Sequence, residues 1–165
     1  MKILVLSDTH IPVAAPHLPP VIEEVARDCD ACLHAGDSIE YSVIKRLGQL
    51  VQTYAVCGNM DDDDVRLKLP EKKIITLEGI TIGLTHGRGA PDAVIANIDK
   101  IFADEYDKID IFVFGHSHIA TDEIINGKIY FNPGSPTDHI FAKKRSYGII
   151  EINNKHITRK VINVK

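Results

Sequence analysis

Cysteine is scarce, a strong excess of either charge is missing, and so are long hydrophobic runs. Three cysteines cannot all pair, so no disulfide framework is expected, and a reducing, cytoplasmic setting fits. No segment approaches the ~18 consecutive apolar residues that a membrane-spanning helix needs. The opening apolar run is too short for a secretory signal and no cleavage-site pattern follows it. The net charge is -4 with eight histidines counted neutral, which gives no support for adhesion to membranes or to nucleic acid. Only short basic runs occur, where a nuclease would be expected to show a long basic groove. No linker, repeat or low-complexity tract interrupts the 165 residues, so residues 1–165 read as a single domain with a sizeable core. An acidic protein of this kind repels an anionic substrate unless bound cations reverse the sign locally.

What is present is a series of short apolar strands. Residues 2–6 (KILVL), 31–37 (ACLHAGD), 53–59 (TYAVCGN) and 110–118 (DIFVFGHSH) read as buried strands, and 73–87 as a hairpin turning near Glu78-Gly79. Between them, Val21, Ile22, Val25 and Ala26, then Val43, Ile44, Leu47 and Leu50, then Val94, Ile95, Ile98, Ile101 and Phe102 fall at helical spacing. From about residue 122 the chain strings strands together and ends in a hairpin around Asn153-Asn154. Alternation first and strands later favour a layered α/β fold with mixed sheets, whose ligands sit beyond the carboxyl ends of the strands.

Those ends are where the chemistry collects. The strands finish in Asp8-x-His10, Gly36-Asp37, Gly58-Asn59, His86-Gly87 and Gly115-His116-x-His118. Along one edge they bring together Asp8, His10, Asp37, Asn59, His86, His116 and His118. Seven nitrogen and oxygen donors are too many for one tetrahedral ion and suit two ions sharing a bridging carboxylate. Imidazole and carboxylate without thiolate favour Mn, Fe, Zn, Ni or Co over Mg or Ca. Two divalent ions ~3.5–4 Å apart clamp a phosphoryl group and acidify a bound water, which resolves the sign problem.

This ordered series, with "FNPGS" at 131–135, resembles the calcineurin-like metallophosphoesterases, in particular their small bacterial and archaeal phosphodiesterase branch. It is also similar to the retromer subunit of the same fold. The resemblance covers about residues 1–152 and implies a four-layer α/β/β/α sandwich with two mixed sheets. It implies that Asp8, His10 and His118 hold one metal, that Asn59, His86 and His116 hold the other, and that Asp37 bridges. The implied cofactors are two divalent transition-metal ions, Mn2+ or Ni2+ first, with Zn2+, Fe2+ or Co2+ behind them. The implied reaction is hydrolysis of a small phosphodiester by metal-activated hydroxide, with Asp37, Asn59 and His86 as catalytic positions. Asn59, Asn132 and Ser135 are expected to bind substrate, although for Asn132 and Ser135 a structural turn is an equal reading. A homodimer is the family expectation. The alternative function is a catalytically weak or inactive scaffold.

One position departs from the family. Many relatives have a histidine after the Gly-Asn pair, close to the leaving oxygen; here it is Met60, which cannot donate a proton. Asp61 is expected to hold a metal ligand or its loop in place, while the rest of "DDDD" (61–64) starts a short helix into Val65–Leu69. Cys29-x-x-Cys32 and Cys57 read as packing, "KKR" (143–145) as an exposed hairpin tip, and His34 as either a support behind the ligands or core. His17, His139 and His156 are placed outside the ligand set.

Overall fold

The protein was analysed as a computed structural model, which describes residues 1–142 and 144–164. The chain lays down two five-stranded sheets. The first contains β1 (Lys2–Leu6), β2 (Ala31–Ala35), β3 (Thr53–Val56), β9 (Ser146–Asn153) and β10 (His156–Asn163), in the order β10-β9-β1-β2-β3. The second contains β4 (Lys72–Leu77), β5 (Ile80–Thr85), β6 (Ile111–Val113), β7 (Thr121–Ile125) and β8 (Lys128–Asn132), in the order β4-β5-β6-β8-β7. Strands β1, β2 and β3 run parallel, as do β5, β6 and β8, and antiparallel partners complete both sheets.

Three apolar cores separate four layers. In β1, Ile3 and Val5 face the second sheet and pack with Leu33, Ile82, Val113 and Phe131. Their alternates, Leu4 and Leu6, face outward and bury Ile22 and Ala26 of α1 (Pro20–Arg27) and Val43 and Leu47 of α2 (Tyr41–Gly48). On the far side, Phe112 and Tyr130 meet Val94, Ile98 and Phe102 from α4 (Val94–Ile101) and its end. The period-2 alternation of a strand buried on both faces therefore dictates the α/β/β/α order.

Element positions agree with the sequence patterns with small shifts. Pro20 opens α1, because its fixed φ and missing N–H suit the first helical position. The acidic run does start a helix, α3 (Asp63–Lys68), and the Asp62 carboxylate caps it by accepting from Val65 N. Lys144 and Arg145 lie in the crossover from the second sheet back to the first, not at a hairpin tip; Lys143 lies outside the described residues. No helix among the described residues is long and apolar enough to cross a membrane.

Because the two parallel sets point their carboxyl ends the same way, the loops after β1, β2, β3, β5, β6 and β8 gather at one rim of the sandwich. That rim carries the site.

Candidate metal centre

Two triads of ligand atoms lie within 4.8 Å of one another: Asp8, His10 and His118, and Asp8, Asp37 and His86. Asp8 is fully buried. Its Oδ1 is 3.5 Å from His118 Nε2, 3.9 Å from His10 Nε2 and 4.0 Å from His86 Nε2. Asp37 Oδ2 lies 3.2 Å from His86 Nε2 and 3.7 Å from His10 Nε2, so it stands between the two sides, while Oδ1 accepts from Met60 N. Asn59 Oδ1 joins the second side, 3.2 Å from His86 Nε2 and 2.9 Å from His116 Nδ1. The fold thus brings together all seven side chains named from the strand ends.

The backbone there is unusual. Asp8, His10, Asp37, His116 and His118 all have φ between 43° and 69°, in the left-handed region that side chains other than glycine seldom adopt. Such conformations persist only where surrounding contacts over-determine them, and they cluster at functional sites. Two glycines permit the crowding. A Cβ at Gly58 would stand 2.2 Å from Asp37 Oδ1, and one at Gly115 would stand 2.8 Å from Asp8 Oδ2.

Each of three imidazoles has one nitrogen tied to an acceptor and the other aimed into the cluster. His86 Nδ1 meets Ala35 O at 2.8 Å, His116 Nε2 meets Gly89 O at 2.8 Å, and His118 Nδ1 donates to Asp138. This is the arrangement that fixes a tautomer and leaves a lone pair for a metal. His10 and His118 then face each other with Nε2 atoms 3.2 Å apart. Asp8 Oδ2 is buried without a hydrogen-bond partner. A fully buried carboxylate with one oxygen facing converging imidazole nitrogens and the other left without a donor fits a divalent cation. Burial raises the Asp8 pKa against the opposing pull of His86 and His118. For His10, burial lowers the pKa and outweighs Asp37 and Asp8. For His86, burial also disfavours the charge, but the Asp37 hydrogen bond and the charges of Asp8 and Asp37 prevail and push it up to about 9.

Asn132 and Ser135 sit at the rim but inside it. Both are fully buried. Asn132 Nδ2 donates to Gly115 O, and Ser135 Oγ donates to Asp8 O at 2.7 Å, so each side chain holds a ligand-bearing loop rather than facing the cavity in front of the cluster. Of the two sequence readings, these contacts are those of the structural turn. Thr137 Oγ1 donates to Thr9 O in the same way. Asp61 holds its loop: its carboxylate accepts from the backbone N–H groups of Asp37, Ile39 and Gly58 and from Ser38 Oγ. His34 is fully buried behind the ligands, with Nε2 3.0 Å from Thr9 Oγ1, and burial lowers its pKa to about 4.

Sequence reasoning missed Asp138. Besides accepting from His118 Nδ1, its carboxylate accepts from the backbone N–H groups of Ile140, Phe141 and Ala142. An aspartate in a polar loop gives no signal of this; no spacing rule links position 138 to position 118. Arg66 was also missed. It donates to Asn59 O and Asp61 O and so braces the loop after β3.

Comparison with known proteins agrees with this centre. The model of the calcineurin-like phosphoesterase superfamily domain matches residues 1–155. A probable metallophosphoesterase from Methanothermobacter thermautotrophicus is 31% identical over 137 residues, 83% of this chain and 78% of its own. Among solved structures, wild-type Vps29 from Entamoeba histolytica complexed with Zn2+ shares the fold, with TM-score 0.77, 22% identity and 99% of each chain covered. So does an archaeal phosphodiesterase, with TM-score 0.75 and 22% identity over 98% of this chain and 100% of its own. A family model that spans nearly the whole chain, over a rim that gathers the ordered Asp, His and Asn ligands, makes this protein a member of the calcineurin-like phosphoesterase superfamily.

Proposed function

We propose that the protein is a phosphodiesterase with a dinuclear metal centre, acting on a small phosphodiester. The observation that carries the reading is the set of tied imidazoles converging on Asp8, whose Oδ2 has no partner of its own. Asp8, His10 and His118 would hold one divalent ion, and Asn59, His86 and His116 the other, with Asp37 between them. When bound, the ions would supply positive charge against the phosphoryl oxygens and lower the pKa of water that serves as nucleophile. Ala35 O, Gly89 O and Asp138 keep protons on the outward nitrogens of His86, His116 and His118, so the inward nitrogens are the ones that ligate, that of His86 after losing the second proton that the nearby carboxylates favour. Asp61 fixes the Asp37 backbone, and Ser135 fixes that of Asp8, which keeps both carboxylates in register.

No proton donor stands where relatives carry a histidine. Met60 is there, 56% exposed. General acid catalysis is worth ~10²–10⁴-fold, so its loss weighs most on poor leaving groups. Aryl diesters should therefore outrun alkyl diesters, and rates should fall steeply as leaving-group pKa rises; a flat dependence would count against this assignment of Met60. The same methionine is the observation that favours the second reading, a scaffold with little or no hydrolysis, and the Vps29 likeness agrees with it.

The deciding experiment strips the protein of metal and titrates it separately with Mn2+, Ni2+, Zn2+ and Mg2+. Bis-p-nitrophenyl phosphate and p-nitrophenyl phosphate are assayed side by side. Turnover of the diester above the monoester with a transition metal is expected. No turnover of either ester with any metal selects the scaffold.

A further inference from the structure

The exposed apolar side chains of this protein are not scattered evenly. Nine large hydrophobic residues are exposed among the described residues, and Val13, Met60, Ile140 and Phe141 are four of them. These four, with Ala14 and Pro91, line one cavity of about 460 Å3, whose floor is made by the metal-centre residues. They come from four separate loops, after β1, β3, β5 and β8, so their meeting is a product of the fold. Single exposed apolar residues need no explanation; a cluster walling a polar, ligand-rich floor does.

Charge narrows what fits. No lysine or arginine lines this cavity among the described residues. A substrate arm lying in this cavity that carried a second phosphate would have to seat that charge against Val13, Met60, Ile140 and Phe141, away from Arg66, Lys72 and Arg88, which line a separate cavity beyond Asn59 and His86. The aromatic wall is also tied to the centre: Asp138 accepts from His118 Nδ1 and from Phe141 N with the same carboxylate oxygen. The Phe141 ring packs edge-on to the His118 imidazole, with centroids 5.8 Å apart at 89°. One face of His118 thus meets an aromatic edge, and the pocket beyond it is apolar.

We infer that this cavity is an apolar subsite for one ester arm of the substrate, an aryl or comparably apolar group bearing no further phosphate. The inference rests on the phosphodiesterase reading for the chemistry, but its recognition step can be measured separately. The chain has two methionines, Met1 and Met60. In Zn2+-loaded protein labelled with 13C-methyl methionine, Met60 therefore gives one of two signals.

Diphenyl phosphate is expected to shift the Met60 signal by ring current and to bind about tenfold tighter than dimethyl phosphate. Phe141→Ala and Ile140→Ser, both at exposed positions that leave the cores intact, should shrink that preference. In turnover, kcat/KM for phenyl p-nitrophenyl phosphate should exceed that for methyl p-nitrophenyl phosphate, and Phe141→Ala should narrow the ratio. Equal binding of diphenyl and dimethyl phosphate, or a preference untouched by both substitutions, overturns the subsite even if diesters are hydrolysed. A Met60 shift and aryl preference without turnover of any diester supports the subsite and overturns the phosphodiesterase reading.

Discussion

His10 and His118 on one side of the centre, and His86 and His116 on the other, are all imidazoles, yet the chain holds them differently. His86 is braced by Ala35 O at the end of β2, and His116 by Gly89 O. Nearby, Asp61 and Arg66 tie down the loop that carries Asn59. These braces come from the first two-thirds of the chain: backbone carbonyls hold the two imidazoles, and side chains hold the loop of Asn59. The other side depends on residues 132–142, which return from β8. Ser135 and Thr137 grip the backbone of Asp8 and Thr9, and Asp138 grips His118. Electrostatically the sides also part: burial dominates at His10, whereas at His86 the two carboxylates overcome it. A symmetric count thus conceals one side whose imidazoles are braced by backbone carbonyls and another that depends on side chains from a single late loop.

The strongest way to break the comparison is to remove the residue both sides share. Asp37→Ala should abolish turnover and leave neither ion tightly held, as read by elemental analysis after gel filtration. Next comes Asp61→Ala, which strips the partners from three backbone N–H groups and Ser38 Oγ in a buried loop. A loss of about 3 kcal/mol or more in the stability of the metal-free protein is expected, measured by urea denaturation. Asp138→Asn tests the late loop alone. It should weaken the ion on the His118 side by ~10–100-fold and leave the His86 side near its original affinity, which a competitive chelator titration resolves.

The mildest perturbation, one that changes no residue, is a change of pH. With its pKa raised to about 9, His86 carries a proton at pH 7 in the metal-free protein, and an ion binding there must expel it. Apparent affinity on that side should fall by up to ~tenfold for each pH unit below about 9, with proton release visible by calorimetry in buffers of different ionisation enthalpy. His10, lowered by burial, is already neutral at pH 7 and adds no such slope.

The side chains that meet at the rim were legible because each sits where an apolar strand stops: Leu6 before Asp8, Ala35 before Asp37, Val56 before Asn59, Thr85 before His86. The unbroken apolar run of β1 likewise announced a buried strand. Asp61 could be suspected from its place after Asn59, but not the four donors it accepts from. Asp138 could not be suspected, and the roles of Asn132 and Ser135 could not be separated from substrate contact. Each depends on a partner more than a dozen residues away, and nothing in spacing along the chain encodes such a pairing.

By itself, then, the sequence determined the strands, the helices and which seven side chains stand at the strand ends, since periodic burial and strand termination are local properties of the chain. Only the tertiary structure decided which nitrogen each imidazole turns inward, which carboxylate braces His118, and that Val13, Met60 and Phe141 share one wall. Those facts follow from loops of several different strands meeting at a single rim, and distance in space there is unrelated to distance in sequence.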